Sequence, residues 1–379
     1  MGAVYLAKDL RFEDSYVALK KITIEFDKLD EKQQKLFKSA FEREANLLAK
    51  LSHESIPRVT DYFSESDSQY LVMELVDGDD LGALLAKQKN KRFAVKEVLE
   101  WSFQILDALD YLHNQNPPII HRDLKPANLK LTSRGRVKLL DFGIAKGTDG
   151  KSNNHTTITN HTFVGATLNY SPIEQLFRVI DPNYRDFIIE KFADKAINVL
   201  NQNADTRSDT FALGATFYHL TTGVLPNDAL KRALDVWGGK ADPLQNPSQL
   251  NPDISPEISN ILMKSLSTDV DARYMSAKEM SNAFHEAVAA SKSKKSTKKN
   301  SLVTEFSNFP IPPNPDETQP FFPQQMDLGE KTQVEINPGV NSAITQVEPL
   351  SNLSPVSNEP EMIIQDTQVE MKPAAQDTQ

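Results

Sequence analysis

Cysteine is absent from the 379 residues, which excludes a disulfide framework and any thiolate-ligated zinc, and suits a reducing compartment. Long apolar runs are missing too. No stretch approaches the roughly 18 consecutive apolar residues of a spanning helix, and the N-terminus carries no basic-then-apolar leader. Neither a transmembrane segment nor a secretory signal is expected, and a cytoplasmic location follows as the expectation. The seven histidines are scattered without metal-ligand spacing, which argues against a transition-metal site. An excess of one charge is also missing over most of the chain. Acidic and basic residues balance through residue 300, and the whole formal charge of -10 falls after it, where 2 basic residues face 12 acidic ones. No nucleic-acid partner is expected.

The same boundary separates compositions. Eleven of the 22 prolines lie after residue 300, among many Asn, Gln, Ser and Thr, with neither Trp nor Tyr. Such a segment buries too little apolar area to offset the entropy of ordering it, so 291–379 is expected to be a disordered tail, basic and then acidic. Its basic start, "SKSKKSTKKN" at Ser291 to Asn300, reads as a solvated flank.

What is present ahead of the tail is strongly patterned. "AVYLAKD" and "YVALKKITI", separated by polar "LRFEDS", predict two antiparallel strands. Phe37, Phe41, Glu44, Leu48 and Leu51 recur at three- and four-residue spacing, predicting a helix between Asp30 and Lys50 that places an acid on its apolar face. "QYLVMELVDG" predicts another strand, followed by a link and a helical region from about Leu81. An amphipathic helix follows over Lys96 to Gln115, ended by "HNQNPP". Helices then continue through "TFALGATFYHLTTG", "PEISNILMKSLSTD" and Ser276 to Ala290, with an inserted helix in 176–204. The fold class expected is α+β: a small sheet-rich lobe, 1–76, on a larger helical lobe, 77–290, with chemistry in the cleft between them.

"HRDLKPANLKL", His121 to Leu131, and "VKLLDFG", Val137 to Gly143, gather residues suited to phosphoryl transfer. That reaction needs a carboxylate near the attacking hydroxyl, hard oxygen ligands for a divalent cation, and cations near phosphate oxygens. Asp123, Asn128, Asp141, Lys125 and Lys20 supply these. Taken singly, Asp123 reads equally as a turn cap and "DFG" as a tight turn after a strand.

In this order the segments resemble the catalytic segments of the eukaryotic-type serine/threonine protein kinases, in wording closest to bacterial members. The resemblance runs from residue 1 to about 286. It implies ATP-dependent phosphorylation of Ser or Thr in proteins, with magnesium, or manganese in its place, as the metal. By position it makes Asp123 the base that accepts the hydroxyl proton, Lys125 a phosphoryl contact, and Asn128 and Asp141 the metal ligands. Lys20 becomes the nucleotide-phosphate lysine and Glu44 its helix partner. Met73 lines the back of the adenine pocket, a place that core packing explains equally well, and Glu74 to Val76 form the hinge. Gly2, Val4 and Ala18 belong to the nucleotide roof. Arg122 corresponds to the arginine that pairs with an activation-loop phosphate in many members. His121 is expected to be structural.

"GATLNYSPIEQ", Gly165 to Gln175, resembles the end of the activation segment. Thr167 falls at the threonine that bonds the catalytic aspartate, and Glu174 at a glutamate that pairs with a late arginine, here Arg273. The family's Ala-Pro-Glu triplet reads "PIE", so altered packing is expected at Ile173. Asp209 is expected to support the catalytic-loop backbone or to cap its helix. A small-molecule kinase is disfavoured by Lys125 and Thr167.

Gly2 matches only the last glycine of the family's G-x-G-x-x-G-x-V. The two earlier glycines and the first strand have no counterpart, so weak or no activity is expected of this chain and full competence of an upstream-extended one; a kinase-fold scaffold that signals by docking is the alternative. Polar Lys146 to Thr162 offers Thr156, Thr157, Thr159 and Thr162 as phosphorylation sites within the family's usual reach of Arg122. "TQVE" occurs three times, at Thr332, Thr345 and Thr367. The repeats read either as an accident of a Thr- and Gln-rich linker or as a docking tail for a phosphothreonine-binding forkhead-associated module.

Overall fold

The computed structural model describes residues 2–10, 15–23, 30–65, 68–141, 165–305, 362–365 and 368–371. Strands β1 (Gly2–Asp9) and β2 (Tyr16–Thr23) pair antiparallel in register from Gly2 opposite Ile22 to Lys8 opposite Tyr16. Helix α1 (Glu31–Ala49) starts at a capping box in which Asp30 accepts from the Gln33 backbone and Gln33 answers to the Asp30 backbone. Those reciprocal bonds satisfy donors that a helix start leaves open. Its Phe41, Ala45 and Leu48 are buried against Ile22 and Leu71 of the sheet, each large side chain contributing roughly 1.5–3 kcal/mol of burial. Strands β3 (Val59–Glu65) and β4 (Ser68–Glu74) form a hairpin, with β4 pairing β2 on its other side.

A two-residue strand, β5 (Asp79–Asp80), leads into α2 (Leu81–Lys87) and α3 (Val95–His113). A 3-10 turn at Pro126–Asn128 precedes β6 (Leu129–Leu131) and β7 (Val137–Leu139), which join β5 in a small antiparallel sheet. A second 3-10 turn, Gly165–Tyr170, opens the helical remainder: α4 (Ile173–Val179), α5 (Pro182–Asn201), α6 (Thr206–Thr222), α7 (Ala229–Trp237), α8 (Pro247–Leu250), α9 (Pro256–Ser265) and α10 (Ala277–Glu305). Every residue of α6 from Ser208 to Tyr218 is buried; a helix enclosed on all sides is the natural frame for side chains that must not move. The architecture is therefore α+β and two-lobed, a sheet with one helix followed by a helical lobe.

Helix α5 lies in the inserted segment and carries a kink at Phe192. Ile173, in place of the family's proline, is fully buried beside Phe177 and Phe211, and Pro172 precedes it as the N-cap of α4. At the N-cap the missing N–H of Pro172 removes no helix hydrogen bond.

Two segments after residue 290 carry regular backbone structure among the described residues. Helix α10 runs on through the basic segment to Glu305, over Ala, Lys and Ser residues that carry little helix penalty. Strands β8 (Met362–Gln365) and β9 (Gln368–Met371) form an antiparallel hairpin, and β8 pairs in parallel with the end of β1, Lys8 opposite Ile363 and Asp9 opposite Ile364. The larger sheet is accordingly ordered β3-β4-β2-β1-β8-β9. Two compact units result, Met1–Ala289 with Pro349–Gln379, and Ala290–Glu348. No described helix is long and apolar enough to cross a membrane.

Candidate active site

Asp209 is the foundation of the site. It is fully buried near the start of α6, and its carboxylate accepts from the backbone N–H of His121 at 2.8 Å, from that of Arg122 at 2.9 Å, and from His113 Nε2 at 2.9 Å. Burial alone would push its carboxyl up; the His113 hydrogen bond and charge, with the backbone donors, hold it below the ordinary value. One side chain thereby fixes the backbone just before Asp123. Arg122 has a positive φ of 65°, a conformation costing on the order of 1–3 kcal/mol for a side-chain-bearing residue and offset here by those bonds.

His121 is structural. It is fully buried, its Nε2 lies 3.0 Å from the Leu140 carbonyl, and its Nδ1 faces the Asp123 N–H at 3.4 Å. This network assigns the proton to Nε2 and leaves the ring neutral, in accord with burial pulling its pKa down.

Asp123 is held from two sides. Asn128 Nδ2 donates to both the Asp123 carbonyl and its Oδ2 at 2.8 Å, and Lys125 Nζ lies 3.1 Å from the same Oδ2. The turn at Pro126–Asn128 is what brings residues five apart into contact. The amide nitrogen of Asn128 is thus spent on Asp123.

Asp141, just beyond β7, also adopts a positive φ, 55°. Its Oδ1 accepts from Lys20 Nζ at 2.6 Å. Lys20 lies on β2 opposite Val4 of β1 and Leu71 of β4, and Ala18 lies opposite Leu6 and Met73. Directly opposed residues share a face, so Val4, Ala18, Lys20 and Met73 line one side of the sheet. Gly2 begins the same strand as Val4.

Glu44 is not joined to Lys20 by a hydrogen bond or ion pair. It is half-buried on α1, and burial raises its pKa from 4.5 to about 7 against the opposing charges of Arg122 and Lys20. A carboxyl shielded from water with its cation engaged elsewhere favours the neutral form.

At the end of β4, Glu74 is anchored by its side chain, which accepts from the Arg58 N–H at 3.1 Å and from Lys138 Nζ at 2.8 Å. Its own N–H donates to the Arg58 carbonyl. Val76 is buried. Gly78 follows with φ 97°, and a Cβ there would collide with the Leu131 carbonyl; glycine lets the segment after β4 run close against β6.

Farther off, Arg273 and Glu174 form a fully buried bidentate pair, Nη1 to Oε1 at 2.9 Å and Nη2 to Oε2 at 3.1 Å. Ser208 donates to Glu174 at 2.6 Å, and the Arg273 guanidinium stacks 4.7 Å from the Phe211 ring centre. Thr167 lies in the turn Gly165–Tyr170. Thr156, Thr157, Thr159 and Thr162 lie outside the described residues. Sequence reasoning passed over His113, Lys138 and Ser208. His113 ends an apolar helix as a lone histidine, which ordinarily signals nothing, whereas Ser208 stands directly before Asp209.

Similarity to known proteins identifies the family. The sequence profile described as "Protein kinase domain" matches residues 1–285. The chain belongs to the protein kinase domain family. Within that family it is 30% identical over 285 residues to the serine/threonine-protein kinase PrkC of Bacillus subtilis, covering 74% of this chain and 37% of that one. It is 29% identical to the serine/threonine-protein kinase PknB of Mycolicibacterium smegmatis, over 74% and 40% of the two chains. The chain thus spans well under half the length of these curated relatives. The crystal structure of the PknI kinase domain of Mycobacterium tuberculosis superposes with a TM-score of 0.51 at 28% identity, covering 76% of this chain and 91% of that one. The match ends near residue 285, ahead of the basic part of α10.

Proposed function

We propose that this kinase domain transfers the γ-phosphoryl group of ATP to Ser or Thr hydroxyls of proteins. The observation carrying this reading is the Asp123 carboxylate, clasped by Asn128 and Lys125 and followed by the Asp141–Lys20 pair. In the in-line displacement, the acceptor oxygen forms a bond to γ-phosphorus as the bond to the β–γ bridging oxygen breaks, leaving ADP. The hydroxyl proton goes to Asp123. Lys125 meets the charge on the transferring group, and Lys20 the nucleotide phosphates once it leaves Asp141. The sheet face of Val4, Ala18 and Met73, with Gly2 at its end, receives the nucleotide, and Glu74 to Val76 serve as the hinge.

The donor set fits magnesium, with manganese as the alternative. Asn128 offers an amide oxygen and Asp141 a carboxylate, both hard ligands. The ion would neutralise phosphate charge as the bridging bond breaks. The domain assignment proposed is 1–76 and 77–290 for the two lobes, with 291–379 as tail. Arg122 is assigned to an activation-loop phosphate, Thr167 to a contact with Asp123, and Glu174, Asp209 and Arg273 to structure. A phosphothreonine-binding forkhead-associated module is the partner proposed for the TQVE words.

A second reading, a kinase-fold scaffold acting by docking, is favoured by Lys20 engaging Asp141 instead of Glu44. Incubation with labelled ATP and magnesium beside an Asp141→Ala control separates them. Label in protein, lost in the variant, supports transfer; equal labelling or none supports the scaffold.

A further inference from the structure

A short hydrogen bond lies at the end of α6 away from Asp209. His219, half-buried in the last turn of that helix, has its Nδ1 2.6 Å from the Tyr170 hydroxyl. Tyr170 closes the turn Gly165–Tyr170, and its ring belongs to the buried cluster that holds Ile173, Phe177, Phe211 and Tyr218. A buried phenol needs a partner for its O–H, and His219 fills that place. Burial pushes the Tyr170 hydroxyl well above its ordinary pKa and pulls the His219 ring below its own. The phenol therefore keeps its proton and donates, while a neutral imidazole accepts at Nδ1 and carries its proton on Nε2. A second tie lies one residue earlier, where Asn169 Nδ2 donates to the Pro226 carbonyl at 2.7 Å, in the segment after α6.

Helix α6 is enclosed from Ser208 to Tyr218, so its two ends keep a fixed separation. Near its start Asp209 holds the His121 and Arg122 N–H groups, just before Asp123. Roughly 15 Å farther along the axis, His219 holds the turn that contains Thr167. One helix thus sets where that turn stands relative to the catalytic loop. We propose that His219 is a positioning residue for the acceptor side of the reaction: by accepting the Tyr170 hydroxyl it holds the turn, and with it Thr167, in register with Asp123. The role rests on the phosphoryl-transfer reading and on the contact assigned there to Thr167. It involves neither the nucleotide nor the metal ligands.

The test uses the full chain with ATP, magnesium and a synthetic acceptor peptide of residues 151–162, which carries Thr156, Thr157, Thr159 and Thr162. Tyr170→Phe removes the donor and His219→Leu the acceptor. Each is expected to lower kcat/KM for the peptide about tenfold, with the KM for ATP within about twofold of the parent. The double variant should lose no more than either single one, because the same bond is removed in all three. His219→Asn, whose Oδ1 stands where Nδ1 stood, should recover most of the loss. Losses that multiply in the double variant, no recovery in His219→Asn, or parental peptide use in Tyr170→Phe overturn the role. An equal loss on the ATP side overturns it too, since that marks general loosening. Amide exchange reads the bond without activity: the Ser171 N–H donates to the Leu168 carbonyl at 3.3 Å, and its exchange should quicken several-fold in both single variants while the His121 and Arg122 amides stay slow. Parental exchange at Ser171 shows that the bond does not hold the turn. A parent chain that labels no peptide, with Ser171 quickened in the variants, rejects the transfer reading and with it the positioning role, leaving the bond as structure alone.

Discussion

The Lys20 ammonium sits 2.6 Å from Asp141 and forms no pair with Glu44. Two groups assigned to opposite jobs, holding phosphate and holding a cation, neutralise each other across the cleft. A bound nucleotide and a divalent cation each supply the counter-charge that the other partner loses, so the two are expected to bind together more tightly than either alone. Titration of the chain with ATP in the presence and absence of magnesium measures this. Lys20→Met should weaken ATP binding at least tenfold in the presence of magnesium.

Asp123→Asn removes a proton acceptor while its amide oxygen can still accept from Asn128. Turnover is expected to fall by between about 10² and 10⁴, with ATP affinity within about twofold of the parent. Steady-state rates and a binding titration on an active preparation test both halves.

Glu44 links stability to pH. Its folded pKa is about 7 against an ordinary 4.5, so between these values the folded state binds the extra proton. Its stabilisation is fully present below about pH 4.5 and is lost as pH rises through 7. The full loss is on the order of 3 kcal/mol. Urea unfolding from pH 5 to 7.5 should show this decline, reduced in Glu44→Gln. A nucleotide that draws Lys20 to Glu44 should release a proton at pH 6.5, visible as a dependence of binding heat on the buffer's ionisation enthalpy.

Arg273→Ala leaves Glu174 charged, buried and deprived of its partner, and about 3–5 kcal/mol of destabilisation is expected. Replacing both members, Glu174→Leu with Arg273→Met, should cost much less. Urea midpoints of the three chains decide whether the pair acts by geometry or by net attraction.

Autophosphorylation is expected on at least one of Thr156, Thr157, Thr159 and Thr162, where a phosphate could pair with Arg122. Mass spectrometry after incubation with ATP is the measurement; an active preparation with no phosphate between residues 146 and 162 rejects the assignment.

Much of the fold was legible because its signals are local. The α1 periodicity and the Asp30/Gln33 cap speak in adjacent residues, as do the alternating strands β1 and β2. Strand β3 escaped notice because Thr60 and Asp61 interrupt its apolar residues, and it is held by pairing with β4 more than by its own propensity. At the site, motif residues could be named one by one, but their present partners could not. Nothing in "YVALKK" or "LLDFG" says that Lys20 reaches Asp141 before Glu44. That choice depends on where α1 sits against the sheet, a sum over many packing contacts. His113 was invisible for a related reason, since its importance comes entirely from Asp209, which lies 96 residues away.

The enclosure of Asp209 sets how substitutions there are to be read. Its carboxylate accepts the His121 and Arg122 backbone N–H groups and His113 Nε2, so a change at this position loosens the backbone ahead of Asp123 while leaving the Asp123 carboxylate itself intact. A fall in turnover there would arise from displacement and not from missing chemistry.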